Sequence, residues 1–117
     1  MFRFQTLDIW KRSIEVTDDI FDLADELDKK RLYRFAEQLR AAALSISNNI
    51  AEGAGSDSRK EFAHFINIAR RSAFETANMV IVFERRKYIT SEHKNKVLIE
   101  LDELCRMMTQ FGRSLKA

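Results

Sequence analysis

Gln38 to Phe62 reads QLRAAALSISNNIAEGAGSDSRKEF, and this stretch holds a helix ending, the chain's only glycine-rich turn and a new helix beginning. Ala41, Ala42, Ala43 and Ser45 are small enough to let a second backbone come close. Asn48, Asn49 and Glu52 then bring polar groups to the helix end. Gly53 is predicted to close the helix in the left-handed conformation, which costs a residue with a Cβ more. Ser58 and Glu61 stand at the spacing of a capping box and restart the helix.

Outward from this turn, helical periodicity extends both ways. The second helix is predicted from about Arg34 to Glu52, with Phe35, Leu39, Ala43, Ile46 and Ile50 facing the core. Beside that row runs a polar one, Gln38, Ser45, Asn49 and Glu52, broken only by Ala42. Polar groups flanking a core face need partners, so this row is predicted to organise a seam between helices or subunits. The first helix is predicted to start at a Thr6 cap and run to Leu27, with Leu7, Trp10, Ile14, Ile20, Phe21, Ala24 and Leu27 inward. A short charged link, Asp28–Tyr33, makes the first two helices antiparallel neighbours.

The third helix is predicted over Arg59–Lys87, roughly 43 Å long. Phe62, Phe65, Ile66, Ala69, Ala73, Ala77, Val80 and Phe83 form its main apolar row. Phe74 and Ile81 lie about 100° away around the axis, and Ile68, Met79 and Val82 flank the other side. One bundle cannot cover three directions, so Phe74, Met79 and Ile81, with Trp10, are the predicted subunit contacts. Thr90 and Ser91 cap a fourth helix that reaches Leu115.

A chain of 117 residues with no proline and three glycines has the composition of a single all-α domain, residues 1–117. Antiparallel up-down-up-down packing into a four-helix bundle follows from the short links, with assembly into a cyclic oligomer expected from the third helix. The lone Cys105 excludes an internal disulfide framework and suits a reducing cytosol. No apolar run resembles a signal peptide or a membrane span, so a cytoplasmic protein is expected.

No catalytic constellation emerges, and no enzyme, cofactor or metal is expected. Glu61 and His64 match one half of a di-iron bundle site, but the second pair and the further glutamates are missing. Cys105 and His93 lack partners at a recognisable spacing, and Ser56 and Ser58 lack the lysine of a phosphate loop. The basic residues say more. Lys29, Lys30, Arg31 and Arg34 surround the first link, and Arg85, Arg86 and Lys87 close the third helix. An antiparallel bundle brings both groups to one end, as a collar suited to phosphates of RNA or DNA. Favourable charge at a helix C-terminus and plain solubility would use the same residues. Residues 1–28 carry three basic against eight acidic side chains, a balance of −5. The remainder carries seventeen against ten, a balance of +7. Such asymmetry can steer one subunit's first helix to another's basic surface, or leave that surface free for a polyanion.

The central stretch also resembles a family. Gln38, Arg40, Ala42, Ser45, Asn49, Ile50, Ala51, Glu52 and Gly53, followed by Lys60, Glu61 and Phe62, match the pattern of four-helix-bundle proteins encoded in intervening sequences of bacterial 23S ribosomal RNA genes. Leu7 with Trp10, and Tyr88 with Ile89, resemble the family's opening and the end of its third helix. Ser47 stands where proline is usual, so a bend in the second helix is expected to be weaker. The resemblance implies a bundle assembling as a five-membered ring and does not imply an enzyme. A related branch, the accessory variability determinant of diversity-generating retroelements, binds reverse transcriptase and nucleic acid. A protein partner such as a polymerase is therefore the alternative to direct nucleic-acid contact.

Overall fold

The structure is a computed structural model describing Met1–Ala117. A 3-10 turn, Arg3–Thr6, precedes four helices: α1 Asp8–Lys29, α2 Tyr33–Ala54, α3 Arg59–Arg85 and α4 Ser91–Lys116. Each helix packs on its sequence neighbour, α4 returns to α1, and the diagonal pairs do not meet. This is the predicted antiparallel four-helix bundle, 45 × 23 × 19 Å along its principal axes. No helix is long and apolar enough to cross a membrane.

The core runs the length of the bundle. Ile20, Leu39, Ile46, Phe62, Leu104 and Met108 are among its fully buried side chains. On α1 the buried residues are Ile9, Ser13, Val16, Thr17, Ile20, Leu23, Ala24 and Leu27. The predicted Ile20, Ala24 and Leu27 do face the core, while the centre of the buried face is rotated from the predicted one. Trp10, Ile14 and Phe21 lie half-buried on its flank. A serine inside the true row disguised it. Its hydroxyl donates to the Trp10 carbonyl at 2.7 Å, so Ser13 can be buried without an unpaired donor. Phe35, predicted to face the core, is 38% exposed.

Two predicted helix ends need correction. Thr6 does not cap α1: Leu7 holds the cap position, while the Thr6 hydroxyl donates to the Arg3 carbonyl. Gly53 does not close α2 in the left-handed region. It lies inside the helix, and no glycine in the chain has positive φ. Its role is close approach: a Cβ there would sit 2.7 Å from the Phe65 Cβ and 2.9 Å from the Phe62 ring. α2 also runs unbroken through Ser47, whose hydroxyl donates to the Leu44 carbonyl. Ser58 and Thr90 cap as predicted, accepting from the amides of Glu61 and His93, each at 3.1 Å.

Candidate nucleic-acid interface

The two links at the collar end are built alike. After α1, the Leu32 amide donates to the Leu27 carbonyl and the Arg31 amide to that of Asp28. After α3, the Tyr88 amide donates to Phe83 and the Lys87 amide to Glu84. Both are Schellman closures, whose left-handed position is usually glycine. Here Arg31 and Lys87 occupy it, each at φ 63°. An L-residue pays about 1–2 kcal/mol for that conformation. The two links are pinned together where the Lys30 Nζ donates to the Tyr88 carbonyl at 2.6 Å.

Lys29, Lys30, Arg31, Arg34, Arg85, Arg86 and Lys87 are all exposed at this end, and none pairs with a carboxylate. Neighbouring acids are engaged elsewhere. Arg40 on α2 holds Asp25 at 2.6 Å and Asp28 at 2.7 Å. Glu84 accepts from Ser91 at 2.8 Å and Lys94 at 3.1 Å, and those bonds lower its carboxyl below its ordinary range. None of the seven cations has a carboxylate partner, although Glu37, three residues after Arg34, is exposed and itself in no ion pair.

Aromatic side chains stand among them, a feature absent from the sequence reading. Tyr33 is 58% exposed, and Phe35 stacks on Tyr88 with centroids 6.0 Å apart and tilts on Phe83 at 5.4 Å. The available signal was Tyr33 and Phe35 interleaved with Arg31 and Arg34. Exposed rings beside cations can stack unpaired bases.

The polar row of α2 divides. Ser45 shares a 3.0 Å hydrogen bond with Ser72 of α3, and the Asn49 side-chain amide donates to the Ser45 carbonyl at 2.7 Å. Thr76, fully buried, extends this chain by donating to the Ser72 carbonyl. Gln38 and Glu52 lie outside it, exposed. Of the residues predicted to meet another subunit, Phe74 (59%) and Ile81 (48%) are exposed. Trp10 is half-buried beside Phe4, and Met79 packs partly against the core. No three His, Cys, Asp or Glu side chains converge where a metal could sit.

The α1–α4 seam is charged. Arg12 reaches Glu103 at 3.4 Å, Lys96 reaches Asp19 at 3.8 Å, and the His93 Nδ1 lies 3.3 Å from the Glu26 carboxylate. Glu100 is only 8% exposed and its Oε1 has no hydrogen-bond partner. Burial, then the neighbouring Asp19, pushes its pKa up to about 7.

Helices, links and a free basic end define a small antiparallel bundle with one strongly cationic pole. The chain belongs to the 23S rRNA-intervening sequence protein family, which matches residues 5–110. It is similar to a solved protein of unknown function from the S23 ribosomal protein family of Bacteroides thetaiotaomicron. That match has 25% identity and a TM-score of 0.84, covering 88% of this chain and 96% of the other. Among curated proteins, none matches.

Proposed function

We propose that the protein is a non-catalytic helical scaffold of the cytoplasm, assembled as a cyclic homo-oligomer of about five copies, that contacts RNA or DNA through its basic collar. The observation that carries this reading is the paired closure of the two links. Arg31 and Lys87 each hold a left-handed backbone that glycine would adopt more cheaply. Strain retained at two equivalent surface positions, both cationic and both free of carboxylates, supports use of the charge. Ring assembly would multiply the collar and raise its avidity for a polyanion.

Filter binding of single-stranded RNA at several salt concentrations tests it. If most of the seven cations meet phosphates, log affinity falls against log salt with a slope up to about −5. Affinity independent of salt, or no binding at low salt, contradicts it. A second reading, an adaptor to a protein such as a polymerase without nucleic-acid affinity of its own, is supported by exposed Phe74 and Ile81. It predicts co-purification of that partner with protein whose collar arginines have been removed.

A further inference from the structure

Between α3 and α4, on the side away from α1 and α2, lies an open groove of about 650 Å³. Its apolar surface includes Ala77, Leu98 and half-buried Cys105, with Phe74 and Ile81 standing out from it. Three arginines border it against one acid, Asp102. The Arg70 guanidinium lies 5.1 Å over the Phe74 ring, and its Nε is buried without a partner. Arg106 bonds Asp102 at 2.9 Å, and Arg113 has no ion pair.

The opposite side of the bundle is its complement. Trp10, Ile14 and Phe21 form a half-buried apolar row along the flank of α1 next to α2. Arg40 reaches across there to Asp25 and Asp28. One turn further along α2, Leu44 adds an apolar side chain 44% exposed. Next to the row runs an exposed acidic one at helical spacing, Glu15, Asp18, Asp22 and Asp25. Glu15 is partly satisfied by Arg12 and Asp25 by Arg40, whereas Asp18 and Asp22 have no ion pair.

We propose that the α3–α4 groove of one copy receives the outer face of α1 from a second copy of this chain. This rests on the oligomeric reading above and names its surfaces. Length matches: Arg70 to Ile81 and Trp10 to Phe21 are each twelve residues, roughly 16 Å of helix from first Cα to last. Charge matches too, with arginines bordering one apolar strip and carboxylates bordering the other. Two grooves meeting face to face would instead set three arginines against three. The contact is therefore heterologous, joining different surfaces, and each copy offers both halves.

Sedimentation velocity and native mass measurement on two folded variants test this, with melting curves confirming that each is folded. Arg106→Glu with Arg113→Glu reverses the groove border, and Asp18→Lys with Asp22→Lys reverses the α1 row. Wild type assembles. Either variant alone weakens self-association at least 100-fold. Their equimolar mixture co-assembles into oligomers in which the two variants alternate, because both attractive pairings, Arg groove with Asp row and Glu groove with Lys row, join unlike variants. A chain carrying all four changes assembles again. Should a variant not fold, a thiol–amine cross-linker on wild type gives an independent answer: Cys105 of one chain joins Lys11 of another. A monomeric wild type overturns the oligomeric reading as well as this contact. An assembling wild type whose variants assemble equally, whose mixture forms no assembly containing both variants, or which gives no Cys105–Lys11 cross-link overturns the contact alone.

Discussion

The seam between α2 and α3 and the seam between α1 and α4 hold the same bundle together by different means. The first brings backbones close: Gly53 lies against Phe62 and Phe65, Ala42, Ala43, Ala69 and Ala73 are buried, and one short serine pair crosses it. The second is spanned by long charged side chains and contains a buried carboxyl. Small residues make a joint sensitive to added volume and indifferent to pH. Charged residues make one that responds to protons.

Volume at the tight seam has the largest expected effect. Gly53→Val places branched carbons where even a Cβ would lie within 3 Å of Phe65 and Phe62. It should cost about 3 kcal/mol of stability despite valine's better helix propensity, read as a lower urea midpoint. A midpoint unchanged from wild type would mean that α2 and α3 are not so closely apposed.

Protons at the charged seam come next. Folded Glu100 holds its proton up to about pH 7, whereas its ordinary value is 4.5. Between these values the folded state binds the proton that the unfolded state releases. Stability from this group is therefore full below about pH 4.5 and lost as pH rises through 7. The loss should be about 1–3 kcal/mol, given its coupling to Asp19. Glu100→Gln should flatten that part of the pH–stability curve relative to wild type. Parallel curves for the two proteins would place the proton elsewhere.

Removing a polar crossing is milder. Ser72→Ala takes away the hydroxyl opposite Ser45 while leaving the Thr76 bond to the Ser72 carbonyl, and should cost about 1 kcal/mol in thermal unfolding. The smallest change has opposite signs in two assays. Arg31→Gly relieves a left-handed arginine and should stabilise the fold by about 0.5–1 kcal/mol, while weakening RNA binding at low salt. Loss of stability, or unchanged binding, would separate the strained link from polyanion contact.

What could be read in the sequence follows from how local each feature is. Ser58 and Thr90 bond amides three residues on, so their capping was legible. The collar was legible because antiparallel connections force the first and third links to one end. The α1 core face was legible at Ile20, Ala24 and Leu27 but not in its first half, where Ser13 breaks the apolar spacing and its bond to Trp10 explains the burial. Gly53 was misread because its reason lies on another helix, in the positions of Phe62 and Phe65. Ser72 and Thr76 lay outside the predicted polar seam because neither sits on α2; helix pairing supplies that relation. The left-handed backbone at Arg31 and Lys87 was hidden because their links contain no glycine to announce it.

The most direct measurement is amide hydrogen exchange of the protein with and without single-stranded RNA, comparing the two ends of the bundle. Binding by the collar predicts slowed exchange in the links around Arg31–Tyr33 and Arg86–Tyr88, with the turn at Ser56–Ser58 unchanged. Slowed exchange at the Ser56–Ser58 end alone, or at neither end under conditions where RNA is bound, contradicts it.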